Sequence, residues 1–278
     1  MVAMIFFASM LNYIDRQTLS ILAPTIQHDL GIDDDGYANI NIAFLLAYLV
    51  AYLLSGKIVD RLGSRMSMVL FIGWWSAANM LTAFARSVYS LGAFRFLLGL
   101  GEAGNYVVGP KLASEWFPAK ERGLAIGIYT IGATIGATIA PVLVVYLADQ
   151  YSWRAAFVIT GFFGLLWIIP WLCLYRRPQE HPRITPAELQ LINQDNQSAQ
   201  AVEQSTPEED EKWNEWRNFQ NRGEFWALML VRLLPDSVWY FYLAWFGKYI
   251  NKEHGIAQED LGITWKVFLA ADIGAVAG

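Results

Sequence analysis

Three apolar stretches of this sequence each carry an acid and a base. Asp15 and Arg16 are adjacent in "NYIDR", Arg95 and Glu102 lie seven apart in "RFLLGLGE", and Arg232 and Asp236 lie four apart in "VRLLPD". Seven residues are two helical turns, so Arg95 and Glu102 fall on nearly the same face. A spacing of four lets Arg232 and Asp236 pair along one helix. A charge at the centre of a bilayer costs roughly 2.5–3.5 kcal/mol even on a lenient scale, and such residues face a bundle interior or a watery cavity. A single pair could be a neutralising ion pair that fixes helix packing. Three together point to a polar pathway through apolar surroundings, whose chemistry is gripping and passing ions.

"RFLLGLGEAGNYVVGP" also contains G-x-G-x-x-G, at Gly99, Gly101 and Gly104. A dinucleotide-binding turn needs a strand before this pattern and a helix after it. Here "VYSLGAFRFLL" before it and the residues after it belong to one apolar run. The glycines read instead as contact points. Gly101, Asn105 and Gly109 recur at helical spacing, and small residues on one face let membrane helices approach closely. Gly132, Gly136 and Ala140 repeat the device in a later run, whose tight face ends at Pro141.

The elements that must position these residues follow from composition. Of 278 residues, 55% are hydrophobic and 16% charged, against about 25% charged in a soluble domain. A spanning helix takes about 20 mostly apolar residues. Seven segments qualify, at roughly 2–26, 38–59, 66–85, 88–111, 122–148, 154–175 and 225–250, and an eighth begins near 262 and is cut off by the end of the chain. With the N-terminus inside, the inner loops and helix ends hold Lys57, Arg61, Arg65, Lys111, Lys120, Arg122, Arg176, Arg177, Arg183, Lys212, Arg217 and Arg222. The outer side holds only Arg86, Arg154, Lys248 and Lys252. This bias supports an N-terminus on the cytoplasmic side. The chain is therefore expected to be an all-α membrane protein: a six-helix bundle over 1–175, a cytoplasmic linker over 176–223, and the start of a second bundle over 224–278.

In the linker, Thr185-Pro186-Ala187-Glu188 reads as a capping box with Pro at the first helical position. "NQSAQAVEQSTPEEDE" is polar and expected to be flexible, and Trp213, Trp216 and Phe219 are expected at the membrane surface. The lone Cys173 reads as a small buried side chain. His28, His181 and His254 are isolated, and no Cys/His spacing resembles a metal site. The first apolar run lacks a small-residue cleavage site, so no cleavable signal peptide is expected. No nucleophile–base set, metal cluster or credible nucleotide loop supports an enzyme.

The loop after the second span, Gly56-x-x-x-Asp60-Arg61-x-Gly63-x-Arg65, resembles the signature between the second and third helices of the major facilitator superfamily. "NYIDR" (12–16), "RFLLGLGEAG" (95–104) and "EWFPAKERGLAIG" (115–127) resemble its anion:cation symporter branch. "SEWFPAKER" and "LLPDSVWYFYLAW" are similar to patterns of bacterial hexuronate and sugar-acid transporters. The resemblance runs from about residue 5 to the end of the chain. It implies that Arg16 binds a substrate carboxylate and that Asp15 and Glu102 are the proton-titrating acids. It further implies that Arg95 couples to Glu102, that Tyr13, Tyr48 and Asn105 line the sugar site, and that Asp60, Arg61 and Arg65 form a cytoplasmic gate latch. A guanidinium suits the first role because it grips a carboxylate bidentately and keeps its charge when desolvated.

Members of the family have twelve spans in two pseudo-symmetric halves with the substrate between them. This chain stops in the eighth, so a truncated frame or partial gene model is expected. The implied function is import of a hexuronate or aldonate by proton symport across the bacterial inner membrane. The implied partners are a small anionic sugar, protons and the bilayer, with no nucleic acid, no cofactor and no second subunit. An organic-phosphate exchanger of the same fold is the first alternative, disfavoured by the acid Asp15 beside Arg16. A non-transporting sugar-acid sensor is the second, disfavoured by the short, plain linker.

Overall fold

The computed structural model describes residues 1–181, 184–192 and 218–277. The stretch "NQSAQAVEQSTPEEDE" and the residues Arg183, Lys212, Trp213, Trp216 and Arg217 lie outside them, as does the side chain of Arg232 on which the expected pair with Asp236 rests. Within the described residues the secondary structure is helical. α1 is Val2–Ile21, α2 Ala23–Leu30, α3 Asp34–Thr82, α4 Val88–Glu102, α5 Asn105–Trp116, α6 Ala119–Gln150, α7 Trp153–Leu174, α8 Gly223–His254 and α9 Trp265–Ala277. By length and composition α3, α6, α7 and α8 can cross a membrane.

The helix ends follow local chemistry. The first expected span, 2–26, is interrupted: the chain leaves helical geometry at Leu22, and Pro24 starts α2. Proline tolerates a first-turn position but cannot donate inside a helix. The expected second and third spans appear as one element, α3, bent at Gly63 with φ 72° and ψ 162°. Only glycine occupies that region without strain. Ser87 and Ser90 form a reciprocal cap on α4. The expected span 88–111 runs on to Trp116 but loosens at Ala103–Gly104, which separates α4 from α5 while both residues keep right-handed helical angles. The Thr185 capping box is present. Glu188 accepts from the Thr185 backbone N–H at 2.9 Å, the Thr185 hydroxyl accepts from the Glu188 N–H, and a helix occupies 186–192.

Packing inverts the pattern of a soluble protein. Leu53, Leu54, Phe84, Leu166 and Ile169 face outward, while Asn12, Asp15, Asn79, Arg95, Glu102 and Asn105 are buried. Cys173, expected to be buried, is exposed. α1 threads the bundle against α6. A Cβ on Gly132 would lie 2.3 Å from the Phe6 carbonyl oxygen, and one on Gly136 2.4 Å from that of Met10. The stripe of Gly132, Gly136 and Ala140 thus lets two backbones touch. The expected single face of Gly101, Asn105 and Gly109 does not form. Gly101 abuts Trp74 and Trp75 of α3, whereas Gly109 abuts the Tyr129 ring of α6. The α4–α5 run is enclosed on several sides, so its small residues serve several neighbours.

Candidate functional site

Asp15 and Arg16 are consecutive on α1, so their side chains leave the axis about 100° apart. They enter different environments. Arg16 Nε donates to Glu102 Oε2 of α4 at 2.8 Å, with 7% of the arginine and none of the glutamate exposed. Its guanidinium lies 4.9 Å from the ring centre of Tyr48, 5.2 Å from Tyr13 and 5.4 Å from Phe44. This aromatic collar favours a cation that water does not reach. Arg95 of α4 donates through Nη2 to the Arg16 carbonyl at 3.3 Å and lies 5.1 Å from the Phe44 ring. Arg95 and Glu102 therefore share one helix face, yet Glu102 pairs across helices with Arg16.

Several buried polar atoms here have no protein partner: Arg16 Nη2, Arg95 Nε and Nη1, and Glu102 Oε1. Buried polar groups are nearly always hydrogen-bonded, so guanidinium donors left over beside one another are the chemistry of an anion site. Asp15 turns the other way. Its Oδ1 accepts from Asn79 Nδ2 of α3 at 2.6 Å, and Asn79 also donates to Thr160 Oγ1 of α7 at 2.9 Å.

A cavity of about 890 Å³ opens beside the arginine, walled by Tyr13, Tyr48, Tyr52, Tyr106 and Tyr129 on one side and by Asp236, Trp239 and Tyr240 of α8 on the other. A second, of about 60 Å³, touches Arg16, Arg95, Asn41 and Tyr240 directly. Tyr13 and Tyr48 lie on the large cavity wall. Asn105 does not: it is fully buried, and its carbonyl accepts from the Tyr129 hydroxyl at 3.1 Å.

The two ends of the molecule differ. At the Asp34 end, α8 packs on the bundle. The Tyr37 hydroxyl donates to the Ala244 carbonyl at 2.7 Å, Tyr37 and Trp245 meet edge to face, and Lys248 pairs with Asp34. Nearby, Asp29 accepts from the Trp153 indole N–H and from Arg154, each at 2.9 Å, and the indole contact first, then the guanidinium, holds its carboxyl below the usual range. At the Gly63 end the described side chains of α8 from Leu228 to Val238 are exposed. There Asp60 accepts from Lys111 of α5 at 2.6 Å, Arg65 donates to the Leu172 carbonyl of α7 at 2.7 Å, and Trp171 donates to the Arg65 carbonyl at 3.0 Å. Arg61 is exposed. Ser64 and Tyr175 both donate to Glu115.

Sequence reasoning missed Asn79, Thr160, Glu115 and Lys111 as partners in these networks. Asn79 carried a signal, being an amide inside the apolar run "GWWSAANML".

A polar, arginine-bearing seam runs inside a helical bundle whose outer surface is apolar, the pattern of a membrane-embedded protein. The chain belongs to the Major Facilitator Superfamily, whose family model matches residues 5–278. It is 32% identical to the hexuronate transporter of Escherichia coli K12 over all of its own length and 63% of that relative. It is 30% identical to the galacturonate transporter of Dickeya chrysanthemi over all of its length and 79% of that protein. It is 29% identical to the D-galactonate transporter of Escherichia coli O6:H1 over 98% of its length and 64% of that protein. The chain thus spans under two thirds of the length of the hexuronate transporter it matches. Among solved structures, a bacterial homologue of the human lysosomal transporter Spinster in an inward-facing, occupied conformation superposes with a TM-score of 0.78 at 21% identity, over 99% of this chain and 59% of that one. A D-xylose–proton symporter gives 0.67 at 15% identity, over 99% and 67%. These likenesses establish the fold.

Proposed function

We propose that this protein imports a sugar acid, a hexuronate or an aldonate, by proton symport through alternating access. The observation that carries the reading is the buried Arg16, held by one carboxylate and by a collar of aromatic rings, with unpartnered guanidinium N–H groups beside those of Arg95. The named relatives that transport hexuronates and galactonate support the substrate class.

In this reading the substrate carboxylate docks on Arg16 and displaces Glu102, and the sugar hydroxyls meet Tyr13 and Tyr48, with Asn105 one layer behind. Glu102 and Asp15 carry the protons, and Arg95 holds α1 against α4 through the Arg16 carbonyl. Occupying Arg16 with substrate changes the balance of charge at Glu102, which couples sugar acid to proton. Asp60, Arg61 and Arg65 form the latch at the Gly63 end, taken as cytoplasmic. The protein works as a monomer in the bacterial inner membrane, with residues 1–175 as one bundle, 176–223 as a cytoplasmic linker and 224–278 opening the second bundle.

Uptake into proteoliposomes by the complete gene product tests the proposal. Labelled glucuronate, galacturonate, galactonate and glycerol phosphate are compared with and without an inward proton gradient. Accumulation of one sugar acid only with the gradient is the expected result. Gradient-indifferent exchange of glycerol phosphate would move the protein to the antiport reading. Near-normal accumulation by an Asp15→Asn, Glu102→Gln double variant would remove both acids from the mechanism.

A further inference from the structure

Asp15 sits on the side of α1 away from the arginine cavities and lines neither of them. Its chamber is bounded by α1, the second half of α3 and α7. Asp15 and Asn79 are fully buried and Thr160 is 1% exposed. Asn79 Nδ2 shares its two N–H groups among Asp15 Oδ1 at 2.6 Å, Thr160 Oγ1 at 2.9 Å and the Phe157 carbonyl at 3.3 Å. The α3–α7 seam beside the chamber is closed. A Cβ on Gly164 would lie 2.1 Å from Ser76 Oγ, and one on Gly161 2.8 Å from the Ser76 carbonyl oxygen. Trp75 and Phe157, both fully buried, pack beside it.

We infer that Asn79, backed by Thr160, is the positioning residue that sets which protonation state Asp15 holds, a conclusion that rests on the reading of Asp15 as a proton carrier. In so closed a chamber the partner of the carboxyl group in either state must be a protein group, because a buried polar atom without one is costly. A primary amide can serve both states. Its N–H can donate to the ionised carboxylate, and Asn79 Nδ2 stands 2.6 Å from Asp15 Oδ1 for that purpose. Its Oδ1, which has no other partner, can accept from the O–H of the protonated acid once the amide turns over, and the rotatable Thr160 hydroxyl can follow it. The charged groups near Asp15 are Glu102 and Arg95 of α4 and Arg16 on its own helix, which points to Glu102. Among the described residues, α3 and α7 present to it the uncharged Asn79, Trp75 and Thr160. The Asp15 proton and the sugar acid then lie on different faces of α1, about 100° apart, and a rotation or tilt of that helix links them.

An infrared titration of the purified complete gene product tests this directly. The carboxylic-acid band that disappears in Asp15→Asn is followed against pH in wild type, Asn79→Ala, Thr160→Val and Thr160→Ser. The bond to the ionised form is the stronger of the two that the amide can make, so its loss in Asn79→Ala moves the midpoint up by about one pH unit. Thr160→Val moves it by less and Thr160→Ser, which keeps the hydroxyl, leaves it in place. A midpoint unchanged in both Asn79→Ala and Thr160→Val overturns the inference. If Asn79→Ala does not fold, the contrast between Thr160→Val and Thr160→Ser decides it. The pH profile of sugar-acid uptake is recorded in parallel. An infrared shift with uptake indifferent to pH leaves Asn79 as the positioning residue and defeats the symport reading, whereas an unchanged infrared midpoint with gradient-driven uptake does the reverse.

Discussion

Arg16 and Glu102 are 86 residues apart in sequence and 2.8 Å apart in space, joining α1 to α4 in the interior of the bundle. Both charges are out of water, so each depends on the other. Removing one partner of a buried pair costs about 3–5 kcal/mol, because the remaining charge is stranded. Glu102→Ala is therefore expected to lower the melting temperature in detergent markedly, and Glu102→Gln, which keeps an acceptor oxygen, to lower it less. Melting curves equal to that of wild type in both variants would show that the pair contributes no stability.

Substituting Arg16 by lysine keeps the charge and removes the planar fork. A bidentate, charge-assisted contact to a carboxylate then becomes a single point contact. With about 1.5–3 kcal/mol in a hydrogen bond to a charged group, sugar-acid affinity is expected to fall by about 10- to 100-fold. Equilibrium binding to the purified protein measures it. Unchanged affinity would place the carboxylate elsewhere.

The α1–α6 contact is limited by backbone atoms, not by flexible side chains. A Cβ on Gly136 meets the Met10 carbonyl at 2.4 Å, whereas one on Gly127 meets nothing within 4 Å. Overpacking of this kind costs about 1–3 kcal/mol. Gly136→Ala should destabilise by that order in a thermal melt, while Gly127→Ala, in the same helix, should be neutral or slightly stabilising.

Asp29 supplies a pH dependence outside the membrane segments. The Trp153 indole N–H and then Arg154 hold its carboxyl below the ordinary value of about 3.9. A lowered folded value means that the stabilisation is fully present above the ordinary value and is lost as pH falls through the lowered one. The acid limb of the melting temperature should therefore be shallower in Asp29→Asn than in wild type, with the two curves parallel near neutrality. The same slope in both proteins would rule Asp29 out as a contributor.

At the Gly63 end, the Asp60–Lys111 pair is largely exposed, with Asp60 75% accessible. Such pairs contribute about 0–1 kcal/mol. Asp60→Asn should leave the melting temperature nearly unchanged yet alter uptake rate if the loop is a latch. Gly63→Ala forces an L side chain to φ 72°, at about 1–2 kcal/mol, and should be visible in both measurements.

Much of the molecule was legible in the residues. The apolar runs marked the long helices, and Thr185 with Glu188 marked a helix start that the structure contains. Pro24 is a local signal for the break after α1, masked in the sequence by the apolar run around it. The partner choices were not legible. Spacing put Arg95 and Glu102 on one face, but a shared face does not decide whether two residues bond to each other or to a third on a neighbouring helix. The same holds for Gly101 and Gly109, which touch different helices.

By itself, then, the sequence determined the membrane class and which charges fall inside apolar runs, because order along the chain fixes both, but not which of them are interior: Asp15, Arg16, Arg95 and Glu102 are buried whereas Asp236 is exposed. The tertiary structure decided that Arg16 takes Glu102, that Asp15 turns from it to Asn79 and Thr160, and that α8 packs against Tyr37 and Asp34 at one end. Those outcomes depend on the rotation and separation of helices far apart in sequence, which are set by backbone contacts such as Gly136 on Met10 and not by any local pattern.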